Sequence, residues 1–308
     1  MKTIFKPSGS ACPHCLQTRV RAHRVWAADM PGQQQITIVE CLNCRFAWQW
    51  PLVRTVAESV DHATHRYSET QDHPYYDPNV RRQVAELRLQ FVATLDTAGR
   101  RLLDVGAGDG KFVEQANAQG WDAWGVDPGA PEHGGDRLRR CMVADLPVDD
   151  LYDVVTLWDV IEHADDPVGL LQGVLQHMRP SGVIVIETGN YQSGDRIIAG
   201  EHWWCYAADH RWYFSPPVLE DLMRDLGIRD FVHADRVFRP KWRGTAQHHV
   251  WLGGHVRNMM RRPLGLLTEL QKLLALRRAA GAWPRWSGLA ILTVAGRKDP
   301  ASDVLPGG

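Results

Sequence analysis

Arg101-Leu-Leu-Asp-Val-Gly-Ala-Gly-Asp-Gly-Lys111 is the stretch that decides the fold. Leu102, Leu103 and Val105 make an apolar run of strand length. Glycines follow at 106, 108 and 110, and Phe112, Val113 and Ala116 then share one face of a helix that Gly120 stops. A strand, a Gly-rich turn and a helix in that order form the cofactor-binding corner of a doubly wound α/β domain. Gly106 and Gly108 carry no Cβ, so a ligand can lie against the main chain. The dinucleotide fingerprint G-x-G-x-x-G/A is broken because Lys111 takes its last small position, and no G-x-x-x-x-G-K-[ST] cradle occurs. Asp104 brings negative charge to the strand end. That repels a pyrophosphate and suits a ligand with an ammonium or sulfonium group.

Leu102-Leu-Asp-Val-Gly-Ala-Gly-Asp-Gly110 resembles motif I of the class I S-adenosylmethionine (SAM)-dependent methyltransferases, with Ala107 and Asp109 where Cys or Thr is commoner. A second stretch, Asp153-Val-Val-Thr-Leu-Trp-Asp-Val-Ile-Glu-His163, is similar to the Asp-x-Val-x-x-x-x-Val-x-Glu-His pattern that many small-molecule members carry after strand four. The resemblance implies an α/β fold with a Rossmann-like seven-stranded sheet and SAM as cofactor. It implies that Asp104, Gly106 and Gly108, with Ala107 between them, hold the aminocarboxypropyl part. Asp145 would accept from the adenine amino group, the next backbone amide, of Leu146, would meet a ring nitrogen, and Trp158 and Asp159 would cover the cofactor.

The strands can be placed in order. Trp121–Val126 is strand two, closed by Asp127-Pro128. An acidic residue about 20 positions after the Gly-rich turn can accept from both ribose hydroxyls; a turn aspartate before Pro128 is the plainer alternative. Residues 129–140 leave no room for a full helix. Cys141–Ala144 is strand three, Asp153–Trp158 strand four and Val183–Glu187 strand five. Asp166-Pro167 reads as an N-cap with Pro at N1, opening a helix whose buried side is Val168, Leu171, Val174, Leu175 and Met178. Before strand one, Val80, Val84, Leu87, Phe91 and Leu95 keep helical period. Strands six, 230–238, and seven, 289–295, are expected as an antiparallel edge hairpin. Between them, 240–286 is a helical insertion with basic residues from Arg257 to Arg285, either a solvated face or a lid for an anionic group.

The first 50 residues carry Cys12-Pro-His-Cys15 and Cys41-Leu-Asn-Cys44, separated by 25 residues. Two C-x2-C knuckles at that spacing read as a four-cysteine structural Zn²⁺ site. Two strands, 19–27 and 35–40, fit between them as a zinc ribbon too small to hold together without metal. A redox role is disfavoured because neither pair opens a helix in a βαβ unit. His14 is expected to face solvent, and Phe46 and Trp48 to leave the ribbon. The arm 51–79, rich in His, Tyr and Pro, is a linker or a wall of the cofactor pocket through Tyr67, Tyr75 or Tyr76. Ribbon, aromatic exit and Tyr-bearing segment together are similar to a methyltransferase subgroup acting on small molecules and sugars. The expected organisation is thus 1–50 ribbon, 51–79 arm, 80–298 catalytic domain and 299–308 tail.

Among 308 residues, 35 Lys and Arg balance 36 Asp and Glu, so the whole molecule has no electrostatic case for nucleic acid. No apolar run reaches the ~20 residues of a membrane span, and no signal-peptide pattern is visible. A cytoplasmic location is expected, in keeping with metal-binding cysteines.

The sulfonium of SAM is already activated, so the protein's task is to align an acceptor for in-line displacement and remove its proton. Histidine suits the second part. His163 and His210 are the candidates, then His202, with Glu162 orienting an imidazole or the acceptor. His210 lies in Asp209-His-Arg-Trp-Tyr-Phe-Ser215, which resembles a His-x-x-x-Phe-Ser stretch of the same group; a purely structural role for it stays open. The expected acceptor is a small-molecule or saccharide oxygen, with carbon possible. Two rivals remain: a zinc-ribbon RNA methyltransferase, and a protein that binds SAM without turnover. Methylation of an exocyclic base amine is disfavoured, since Trp158-Asp-Val-Ile161 stands where Asn/Asp-Pro-Pro-Tyr would.

Overall fold

The computed structural model describes residues 7–30, 34–54, 58, 77–131, 135–238 and 291–300. The N-terminal part is a hairpin between two cysteine knuckles. β1 (Val20–Trp26) and β2 (Gln35–Cys41) run antiparallel, with Val20 opposite Cys41. β3 (Ala47–Gln49) extends this sheet, with Val39 opposite Trp48.

The α/β part starts with α1 (Pro78–Ala93), capped by Asp77, whose carboxylate accepts from the Asn79 and Val80 amides, with Pro78 at the start where no donor is needed. Then come β4 (Arg101–Val105), α2 (Lys111–Ala118), β5 (Asp122–Val126), β6 (Leu138–Arg139) and β7 (Tyr152–Trp158). α3 (Pro167–Gln176) starts at Asp166 as expected, and β8 (Met178–Gly189) follows. α4 (Gly194–Ala199) and β9 (Trp212–Tyr213) lie in the long segment after it. α5 (Pro216–Asp225), β10 (Ile228–His233) and β11 (Ile291–Lys298) complete the described elements.

The main sheet has seven strands in the order β10-β11-β8-β7-β4-β5-β6. Neighbours from β8 to β6 are parallel, and β11 is antiparallel to both β8 and β10. β7 is buried at every position, as a parallel strand covered on both faces must be. The order reverses between β4 and β7, and in such sheets the crevice at the carboxyl ends of these strands takes ligands.

Several expectations need correction. Strand three is not 141–144: β6 lies earlier, at Leu138–Arg139, and Val143–Asp145 is a 3-10 turn. Its first amide, of Met142, donates to the Asp145 carboxylate, so the short polar side chain turns the backbone away from an extended form. Strand five starts five residues before Val183 and runs on to Gly189. The edge hairpin is present, but its strands are shifted to 228–233 and 291–298. His14 is half-buried, its ring tilted on Phe46.

Phe46 and Trp48 do not leave the N-terminal sheet. They are fully buried because β9 pairs with β3, Ala47 opposite Tyr213 and Trp48 opposite Trp212. The four-stranded sheet β1-β2-β3-β9 therefore draws its last strand from the segment after β8. Phe46 stacks on Trp212 and meets Phe214, in one core with Leu219, Met223 and Leu292. The insertion expected at 240–286, the strand start at 289–290 and the tail from 301 lie outside the described residues, as does most of the 51–79 arm.

Candidate active site

The ends of β4 and β7, the Gly-rich turn and α1 border an open cleft, lined by Arg88, Asp104, Gly106, Ala107, Phe112 and Trp158 among others. Gly106 has φ +74°, and a Cβ there would collide with the Val160 side chain. Only glycine keeps the turn this close to the next strand's loop. The turn is pinned from below: the Gly106 and Ala107 amides both donate to the Val126 carbonyl. Asp127 accepts from the Gly108 amide at 2.8 Å and from the Gly129 amide at 2.7 Å. Its carboxylate thus ties the Gly-rich turn to the end of β5, and each oxygen keeps a lone pair for a further donor. Pro128 stands between these two attachments.

Asp104 is 2% exposed. It accepts from the Thr156 hydroxyl at 2.7 Å. Burial pushes its carboxyl up to about 7, against the pull of that hydrogen bond and of Arg88. A carboxylate in this state is poised to take up a positive ligand.

Arg88 was not among the residues singled out above. It sits on the buried stripe of α1 between Val84 and Val92. Its guanidinium lies over the Trp158 ring, 4.7 Å from the centroid. It pairs with Asp159 at 2.9 Å and with the fully buried Glu187, which also accepts from Thr293. Asp159 adopts φ +59°, a conformation aspartate tolerates better than most residues. Two turns earlier on the same helix, Arg81 grips both carboxylate oxygens of Asp109 in the Gly-rich turn. An arginine seven residues after another, on a helix face otherwise apolar, was the available signal for both.

Asp145 is exposed and already holds the Met142 amide, whereas Leu146 is buried. Tyr76, the candidate wall, lies outside the described residues.

Beyond the Gly-rich turn, Ile161–His163 form a 3-10 turn. Here Glu162, His163 and His210 come together, their ligand-type atoms all within 4.8 Å of one another. The two imidazoles meet edge to face at 4.7 Å. His163 Nδ1 lies 3.1 Å from the Asp209 carbonyl oxygen. A carbonyl only accepts, so Nδ1 carries the proton and Nε2 keeps its lone pair. Burial pulls His210 down to about 4, helped by the neighbouring His163, so it is neutral at physiological pH. Its Nδ1 faces the Cys205 sulfur at 3.5 Å. Burial raises the Glu162 carboxyl to about 7. His163 is about one-third exposed, whereas Glu162 is buried, so the reachable imidazole is that of His163. His202 does not join them: it is 65% exposed, stacked on Trp26 and beside Glu201.

The four cysteines of the knuckles converge. Cys12 and Cys44 sulfurs are 3.6 Å apart, Cys15 and Cys41 sulfurs 3.5 Å, and no disulfide links them. A tetrahedral ion bound by thiolates at ≈ 2.3 Å needs sulfurs about 3.8 Å apart. The Cys15 and Asn43 amides donate to the Cys12 and Cys41 sulfurs, as partners for thiolate charge. The donor set fits a closed Zn²⁺ site.

Residues 76–231 match a family model described as a methyltransferase domain. A ubiquinone biosynthesis O-methyltransferase of Cereibacter sphaeroides is 30% identical over 175 residues, covering 51% of this chain and 71% of that relative. One from Rhodopseudomonas palustris is 28% identical over 167 residues, covering 47% of this chain and 66% of its own. Among solved structures, a Burkholderia thailandensis 1,6-didemethyltoxoflavin-N1-methyltransferase, with S-adenosylhomocysteine bound, aligns at a TM-score of 0.48 and 17% identity over 84% of this chain and 97% of its own.

Proposed function

We propose, from the premise that this chain belongs to the class I SAM-dependent methyltransferase family, that it transfers a methyl group to an oxygen of a hydroxylated small molecule or saccharide, with His163 taking the acceptor's proton. SAM supplies an activated methyl on a sulfonium. The chain's residues must bind the cofactor, set the acceptor and receive one proton.

The binding roles follow from charge. Asp104 faces the cleft as the carboxylate for the cofactor's cationic end, beside Gly106, Ala107 and Gly108. Arg88, over Trp158, offers a cation to its carboxylate. Asp127, with Pro128 keeping the turn, accepts from the ribose. Asp145 and Leu146 are assigned to the adenine, Trp158 and Asp159 to the cover.

The observation that carries the proton step is the contact between His163 Nδ1 and the Asp209 carbonyl. It fixes the ring and leaves Nε2 as the acceptor. His210, held neutral by burial, packs against His163 without placing a second charge on it. Glu162 closes the buried side and balances the imidazolium formed when His163 is protonated. Oxygen as the atom methylated is supported by the two relatives, whose own reaction is O-methylation.

Four cysteine sulfurs would hold Zn²⁺ in a structural role, with 1–50 as ribbon and 80–298 as catalytic domain. Thiolate ligation and free cysteines support a reducing, cytoplasmic setting. Among the described residues no helix is long and apolar enough to cross a membrane.

The test is a screen of hydroxylated small molecules and free sugars for SAM-dependent gain of one methyl group, followed by His163→Ala and His210→Ala. His163→Ala should cost at least about 100-fold in turnover, in the range of a lost general base. A loss below about tenfold in His163→Ala overturns the proton step. S-adenosylhomocysteine formation in no pool would leave a binder without turnover.

A further inference from the structure

The loop 207–211 carries Asp209 and His210, yet its main chain is held largely by the N-terminal sheet. We infer that Gln49, in β3, is a positioning residue for the histidine pair, and that through it the cysteine-bound ribbon sets the acceptor side of the site.

Gln49 is fully buried. Its side-chain amide nitrogen lies 3.3–3.4 Å from three carbonyl oxygens, those of Ala207, Ala208 and His210. Its side-chain oxygen accepts from the Val53 amide at 2.8 Å. These partners fix the orientation of the amide: carbonyls cannot donate and an amide N–H cannot accept, so nitrogen faces the loop. One NH₂ group shared among three carbonyls gathers the loop into a tight curve. The Gln49 backbone amide also donates to the Arg211 carbonyl, and the Arg211 amide donates to the Glu162 carbonyl, both at 2.8 Å. A continuous path thus joins the ribbon to the turn bearing His163. The same loop curve presents the Asp209 carbonyl to His163 Nδ1.

Other ribbon groups support the loop from the side. Asp29 accepts from the Ala208 amide at 2.8 Å, and the Ala28 amide donates to the Tyr206 carbonyl at 2.7 Å. These fix where the loop begins. Among the described residues, Gln49 alone touches the carbonyls on both sides of Asp209. The cofactor residues Asp104, Gly106 and Trp158 make none of these contacts, so the effect is directed at the acceptor side.

The inference rests on the histidines being the acceptor-side groups, but its test does not need turnover. Gln49→Glu changes one atom and sets a carboxylate oxygen against three carbonyl oxygens. In full-length, zinc-loaded protein with ¹⁵N-labelled histidine, the bonded Nδ1 proton signal of His163 is followed by NMR. It is assigned with His163→Asn. In parallel, S-adenosylhomocysteine affinity and zinc content are measured.

The expected result is loss of the His163 signal in Gln49→Glu at pH 8 and its return at low pH, where the new carboxyl is protonated and donates to a carbonyl. Affinity for S-adenosylhomocysteine should stay within about twofold and zinc at one per chain, since separated sites act independently. Gln49→Met keeps the volume without a donor. It should lose the signal at every pH, and it serves if the first variant fails to fold. An unchanged His163 signal in either variant overturns the inference. So does a parallel loss of S-adenosylhomocysteine affinity and zinc, which would mark Gln49 as a plain core residue. If His163→Ala retains turnover while Gln49→Glu loses the signal, the proton step fails and the positioning role stands.

Discussion

Lowering the pH should release the cofactor, and Asp104 sets by how much. Its carboxyl is raised from 3.8 to about 7, first by burial. In the empty protein it is therefore about half ionised at pH 7 and about 1% ionised at pH 5. The cationic end of SAM favours the ionised form, so binding must first remove the proton. Observed affinity then follows the ionised fraction and falls by up to about 50-fold from pH 7 to pH 5, or up to about 2.3 kcal/mol. The fall levels off where the pKa of the bound state is reached. An opposite charge lowers a carboxylate by ~1–3 units, which places the plateau between about 10- and 1000-fold. Calorimetry with S-adenosylhomocysteine in two buffers of different ionisation enthalpy counts the proton directly. About 0.5 to 0.8 proton should be released per site at pH 6.5. The ligand's own amino group, near 7.7–8.0, stays charged below pH 7 and does not contribute. Asp104→Asn should bind weakly and without pH dependence. The sign for stability is opposite. A raised folded-state pKa contributes stability that is whole below 3.8 and lost as the pH rises through about 7. Asp104→Asn should therefore be more stable than the parent at pH 8, by up to about 4 kcal/mol. A flat affinity from pH 5 to 7 with no proton released would refute the reasoning, as would an Asn variant with the same proton release.

Asp127→Ala removes a carboxylate that holds the Gly108 and Gly129 amides. At ~1.5–3 kcal/mol for each charged hydrogen bond, S-adenosylhomocysteine affinity should drop at least about tenfold by calorimetry. Arg88→Met removes the guanidinium paired with the buried Glu187. Urea unfolding should show a loss of ~3–5 kcal/mol, partly restored by adding Glu187→Gln. Stripping the cysteine site with a strong chelator should lower the melting temperature and remove near-ultraviolet dichroism from the buried Trp48 and Trp212. Both should return with Zn²⁺ and not with Mg²⁺, because thiolates prefer the softer ion.

The seven-stranded fold was legible because its strongest signals are local. The turn at 106–110, the Asp166-Pro167 cap and the apolar runs of β4 and β7 each combine composition with a fixed offset. The strand-three placement failed because β6 is two residues long and has no period to read. Its neighbour 141–144 has the apolar composition of a strand, but the Asp145 side chain captures the Met142 amide. Arg88 is hard to read from sequence, because a cation on an apolar stripe resembles a tolerated exception until Glu187, on another strand, stands against it. The meeting of Glu162 and His163 with His210 spans 47 positions, and no spacing rule joins them. His202 shared the aromatic-rich stretch with His210 but stacks on Trp26 at the surface. The β3–β9 pair was invisible for the same reason: two residues carry too little pattern, and Trp48 and Trp212 recognise each other only once folded.

That two-residue splice has a consequence for how the chain can be cut. During synthesis the amino-terminal sheet must wait, one edge bare, until position 213 has left the ribosome. An expression design that begins at Asp77 would shed the zinc knuckles but also strip the cover from Trp212 and Phe214, leaving an oily groove beside the histidines. Such a fragment should precipitate, and supplying residues 1–54 as a separate peptide should bring it back into solution.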